Sequence, residues 1–203
     1  KKLGETIGEN GLFTDGNWIL SENMSDSGTI RVIQLGDIGD GKFIDKSSKW
    51  ITEETCKNLK CTLLRENDVL ISRMADPIAR ACLLPHLKNQ SITAVDITIM
   101  RCDKSIILPK FVMFICNSPK FREEAERLGR GTTRRRITRK DLGNLKIPVP
   151  PLEVQKQIVA VLERAEKLKQ RREQINEETK KSIQAIFVEM FGDPIKNDKG
   201  FAV

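Results

Sequence analysis

Lys146–Met190 reads KIPVPPLEVQKQIVAVLERAEKLKQRREQINEETKKSIQAIFVEM, and how this stretch folds decides the organisation of the chain. Pro148, Pro150 and Pro151 fix φ and remove backbone donors, so they end whatever precedes them. From Leu152 to Met190 neither Gly nor Pro interrupts 39 residues. That predicts one helix, roughly 58 Å long at 1.5 Å per residue. Its apolar residues recur at alternating spacings of four and three: Val154, Ile158, Val161, Ala165, Leu168 and, beyond Arg172, Ile175. Such a seam asks for a partner helix. Past Ile175 the pattern slips to Thr179, Ile183, Ile186 and Met190, with Phe187 beside it, an insertion of the kind that locally unwinds a coiled coil. A compact domain about 30 Å across is too short to cover such a helix. The expectation is therefore a rod projecting from a globular head.

Charge is concentrated in one place. Residues 1–119 carry 15 basic and 15 acidic side chains, and 152–190 carry 8 and 7, but 120–146 carry 10 and 4, supplying +6 of the net +7. A basic segment in an otherwise balanced chain marks a surface aimed at a polyanion. Its core reads GRGTTRRRITRKDLGNLK from Gly129 to Lys146. Glycines admit close backbone approach, hydroxyls bond phosphate oxygens and arginines fork onto phosphate or guanine, which together suit a nucleic-acid loop. Arg134, Arg135 and Arg136 cannot all share a face of an extended segment. The bland alternative is a solvated loop answering Glu123, Glu124 and Glu126. Tyr is absent and aromatics make up 5% of the chain, so a stacking platform for single strands is disfavoured and a duplex is the better ligand.

The head reads as a mixed α/β domain. Thr29–Leu35, Asp68–Arg73, Ala79–Leu84 and Ile92–Arg101 are β-rich and separated by turn residues, implying an antiparallel or mixed sheet. Thr52 caps a short helix to Leu59, and Pro119 opens another that should stop at a left-handed Gly129. Thr138 with Asp141 resembles a capping box. Gly36–Lys42 carries GxxGxG without a following helix pattern and is read as a plain turn. Five cysteines form no CxxC pair and His86 is the sole histidine, so no metal site is expected and the thiols read as reduced. Asp37, Asp40, Asp68 and Asp76 fall on separate turns and make no magnesium cluster. No apolar run reaches the length of a membrane span. The expected location is cytoplasmic.

Taken together, Gly129–Thr133 with Ile137, Asp141 and Leu142, then IPVPPLEVQKQIV from Ile147 to Val159, the long charged helix, and FGDP from Phe191 to Pro194 resemble the specificity subunits of type I restriction–modification systems. Ile30–Ile38 and Asn67–Arg73 are similar to that family's looser target-recognition patterns. The resemblance implies an α+β fold: a target recognition domain over 1–151, a helix over 152–190 that pairs in an antiparallel coiled coil, and a linker-like tail over 191–203. It implies a non-catalytic unit that reads one half of a split double-stranded DNA site. Adenine-N6 methyltransferase subunits would bind S-adenosylmethionine, so no cofactor is expected on this chain, and restriction subunits would join indirectly. One domain and one helix make one repeat unit, read as a natural half-subunit or an excised half, that pairs with a second copy or a second half.

Within that reading the DNA contacts are Arg130, Thr132, Thr133, Arg134, Arg135 and Arg136, then Arg73, Ser72 and Gln34. The helix contacts are Val154, Ile158, Val161, Ala165, Leu168, Ile175, Ile183, Ile186, Phe187 and Met190. The competing reading is a coiled-coil adaptor whose basic loop binds an acidic protein.

Overall fold

The structure is a computed structural model, and it describes residues 1–74, 77–192, 196 and 199. Asp76 and the stretch 193–203, apart from Lys196 and Lys199, lie outside the described residues; so do Asp193 and Pro194 of the FGDP element. The chain divides into two compact units, Lys1–Val159 and Ala160–Val203.

In chain order the elements are β1 (Leu12–Asp15), β2 (Ile30–Ile33), β3 (Lys49–Ile51), α1 (Glu53–Asn58), β4 (Val69–Ser72), β5 (Ala81–Leu83), β6 (Ser91–Thr93) and β7 (Ile97–Arg101). They are followed by α2 (Pro109–Cys116), α3 (Pro119–Leu128), α4 (Arg139–Asn144) and α5 (Leu152–Phe191). The fold is α+β, with two sheets rather than one. An antiparallel sheet runs β1-β7-β4-β5, and a mixed sheet runs β3-β2-β6 with β2 and β6 parallel.

β4 is buried at all four positions, because both faces of its sheet are covered. Val69 and Ile71 join a cluster with Phe111 and Val112 of α2, Phe121 of α3 and Leu142 of α4. Leu70 packs on the opposite face with Cys82, Ile97 and Ile99 against Ile33 and Ile38. A third cluster, Ile30, Val32, Ile51 and Ile92 with Cys56 of α1, closes the mixed sheet. The stretch Ile92–Arg101, read as one β-rich run, is two strands in different sheets, and the chain crosses between them at Ala94–Asp96. The same crossing is met by β1. Gly16 donates to Ile97 O at 2.9 Å, and a Cβ on Gly16 would sit 2.2 Å from Ala94 O, so only glycine fits this approach.

Several helix ends follow from local chemistry. Thr52 Oγ1 accepts from the Thr55 N–H at 3.1 Å, and Thr138 Oγ1 accepts from the Asp141 N–H at 3.0 Å. Both are N-caps that satisfy an orphan donor. The left-handed Gly129 does not occur: its φ and ψ are −65° and 130°. The Arg135 guanidinium donates instead to the carbonyls of Glu126 and Gly129, closing α3 with a side chain. The left-handed turn falls two residues later, at Gly131 with φ of 105°.

Gln155 is fully buried. Its Oε1 accepts from Leu108 N at 2.9 Å, and its Nε2 donates to Ile106 O at 3.0 Å and Pro150 O at 2.8 Å. Gln155 and Val159 are the buried residues of α5, and they fix its first two turns within the Lys1–Val159 unit. They lie about a third of a turn round the helix from Val154, Ile158 and Val161 at 100° per residue. α5 then ends at Gly192, whose φ of 73° terminates it in the usual left-handed manner.

Candidate nucleic-acid interface

The basic loop is closed at its base by two backbone hydrogen bonds, Arg130 N to Arg136 O at 2.9 Å and Arg136 N to Arg130 O at 2.8 Å. Residues 131–135 form the tip between them, with Gly131 supplying the positive φ. The loop leans on the β4–β5 hairpin through a bridge between Met74 and Arg136 and through Ile137 N to Arg73 O at 2.9 Å. The ends of β1, β4 and the β6–β7 crossing thus meet the loop at one place.

The three consecutive arginines go three ways. Arg134 is exposed. Arg135 turns back onto α3, where its guanidinium also lies 3.4 Å from Glu126 Oε2. Arg136 places Nε 2.9 Å from Asp96 Oδ1 in the crossing. Thr132, Thr133 and Arg130 are exposed as well. Among the described residues, Arg130 and Arg134 have neither an ion pair nor a side-chain hydrogen bond.

Two of the expected contact residues are buried. Arg73 is 3% exposed. Its Nη1 donates to Ile137 O at 3.2 Å, its Nη2 to Val95 O at 2.5 Å, and its Nε lies 3.0 Å from Asp15 Oδ1. It is therefore a tie between three segments, closed to an outside ligand. Burial pushes its pKa down from the ordinary arginine value, while Asp15 and Asp96 draw it back up. Ser72 is fully buried, with its backbone in the β4–β5 ladder, and is equally closed. Arg135 is exposed, while its guanidinium also donates to the carbonyls that end α3. Gln34 is half-buried; its N–H donates to Asp37 Oδ2 at 2.7 Å, and its neighbour Ile33 accepts from Ala94 N at 3.1 Å. It sits beside the crossing, in a local turn.

Residues not singled out from sequence complete the site. Asp15 binds Thr98 Oγ1 at 2.9 Å, faces Arg73, and lies 4.0 Å from Arg139 Nε. Asp96 holds Arg136. Neither aspartate belongs to a motif, and both were hidden because their significance comes from two strand ends 81 positions apart meeting in space. Beside them a shallow cleft is lined by Lys2, Phe13, Asp15, Arg139 and Lys140. No group of three or more His, Cys, Asp or Glu suited to a metal occurs among the described residues. The cysteines are free, and burial pushes the Cys82 and Cys102 thiols up to about 12, as befits packing residues.

The expected α5 seam is open on this chain. Val161, Leu168, Ile175, Ile183 and Met190 are 63, 68, 53, 62 and 60% exposed, and Val154, Ile158, Ala165, Ile186 and Phe187 are exposed too. No helix among the described residues is long and apolar enough to cross a membrane.

Comparison with known proteins gives the same architecture. A chain from a type I R-M system, solved in work on its complex assembly and conformational transition, superposes with a TM-score of 0.67 at 22% identity, over 91% of this chain and 42% of that one. The HsdS subunit from Thermoanaerobacter tengcongensis gives 0.63 at 22% identity, over 94% and 44%. The S subunit of a type I restriction–modification system from M. genitalium gives 0.55 at 14% identity, over 94% and 47%. This chain thus spans less than half the length of each. The family model described as "Type I restriction modification DNA specificity domain" matches residues 6–180, and on that match the chain belongs to the type I restriction–modification DNA specificity domain family.

Proposed function

We propose that this chain is a non-catalytic DNA-specificity unit that reads one half of a split duplex site. The observation that carries the reading is the loop at 130–136. It carries four of the arginines of the basic 120–146 segment, two of them without a carboxylate partner among the described residues, and is fixed by the buried Arg73 to the strand ends around it. Arg130 at the base and Thr132, Thr133 and Arg134 at the tip meet the DNA backbone. A rigid base under a positively charged tip favours duplex binding, because less conformational freedom is lost on docking.

The apolar seam of α5 takes a second helix, from another copy or a second repeat, and the paired helices set the spacing between two half-sites. Adenine-N6 methyltransferase subunits supply S-adenosylmethionine and the chemistry, with restriction subunits attached through them. Co-expression with such a methyltransferase, followed by genome-wide mapping of methylated adenines, tests this assignment. It expects a motif split by an unread spacer; methylation with no sequence motif opposes it.

A further inference from the structure

Two kinds of arginine stand on the loop. Arg130 and Arg134 are solvated, with no carboxylate partner among the described residues, so each presents a full positive charge. Arg136 differs. Its Nε is buried against Asp96, 2.9 Å from Oδ1, yet the side chain is 40% exposed. The terminal Nη groups are left for an outside acceptor; Nε makes an ion pair with Asp96 without hydrogen-bond geometry, and the Arg136 backbone is what is held, by its bridges to Arg130 and Met74. Asp96 is fixed in turn: its carbonyl accepts from Arg73 N at 2.8 Å, and the preceding Val95 carbonyl takes Arg73 Nη2.

This geometry has a consequence for what Arg136 prefers. The fixed carboxylate cancels much of its charge and would repel an approaching phosphate, whereas a neutral base edge meets no such repulsion. A guanidinium fork carried on this bridged backbone matches the O6 and N7 acceptors of guanine in the major groove. Resting on the duplex-reading assignment above, we infer that Arg136, ion-paired with Asp96, is a base-reading residue that selects a guanine. Arg130 and Arg134 supply phosphate contacts that carry no sequence information.

The test separates the two roles with the full chain and a randomised duplex library, selecting bound sequences and then measuring affinity against salt. Arg134→Ala should keep the selected motif, weaken all duplexes alike, and reduce the log–log salt slope by about one. Arg136→Lys and the near-isosteric Asp96→Asn should each relax the preference at one guanine position by about five- to 150-fold with the slope nearly unchanged. Asp96→Asn keeps the arginine and removes only the carboxylate charge, so it reports on the ion pair even if Arg136→Lys perturbs the loop. Retention of the full motif by both variants, or a slope loss like that of Arg134→Ala, overturns the inference while leaving DNA binding intact. A wild-type chain that binds duplex but enriches no sequence overturns both this inference and the reading beneath it.

Discussion

Across 64 residues of sequence, Arg73 Nη1 donates to the carbonyl of Ile137 at 3.2 Å. One buried guanidinium joins the end of β4 to the foot of the basic loop, and its other nitrogens reach Val95 and Asp15. The loop therefore has a fixed base although its tip is solvated.

Removing that tie should cost both stability and binding. Arg73→Met leaves Asp15 without its main partner and two carbonyls without donors. Asp15 is a quarter exposed, so a loss of about 2–3 kcal/mol is expected, rather than the larger penalty of a fully buried charge. Urea unfolding measures it; a variant as stable as wild type, with duplex binding retained, would remove Arg73 from this role.

Gln155 makes the same kind of argument for the root of α5. Gln155→Ala strands Leu108 N–H and the carbonyls of Ile106 and Pro150, and about 1–3 kcal/mol should be lost. Hydrogen exchange at Leu108 should accelerate along with it. Unchanged protection there would mean the three bonds matter little.

Asp37 gives the fold a pH dependence. Burial pushes its pKa up, but hydrogen bonds from Ser47, Gln34 and Lys46 outweigh this and hold it below the ordinary aspartate value. A carboxylate depressed on folding contributes stability that is present above its unfolded pKa and lost as pH falls through the folded one. Asp37→Asn should therefore be less stable than wild type at neutral pH, and the gap should narrow below about pH 4. A gap independent of pH would refute this account of the turn.

The α5 seam predicts self-association or pairing with a second repeat. In a chain that dimerises, Leu168→Glu should shift sedimentation to the monomer, because a buried charge at a core position opposes helix pairing. A dimer that persists would place the contact elsewhere.

How much of this was legible in sequence follows the range of each interaction. The α5 helix, the Thr52 cap and the Thr138 cap depend on residues within a turn or two, and pattern alone located them. The division into two sheets did not show, because β2 pairs with β6 about sixty positions away and the break at Ala94–Asp96 carries no Gly or Pro. Loop chemistry located the basic tip but not the fate of each side chain. Arg73 looks like an exposed strand-end cation until Ile137 closes over it, and the bonds from Arg135 to the end of α3 leave no mark in the local pattern. Asp15 and Asp96 gain meaning only once three strand ends converge.

The most direct test of the account is fluorescence anisotropy of the full chain on a mixed-sequence duplex over a range of salt, comparing wild type with an Arg130→Ala, Arg134→Ala double variant. The double variant should bind roughly tenfold or more weakly, with a log–log salt slope shallower by about two. Equal affinity and equal slope for the two proteins would contradict the placing of DNA on the 130–136 loop.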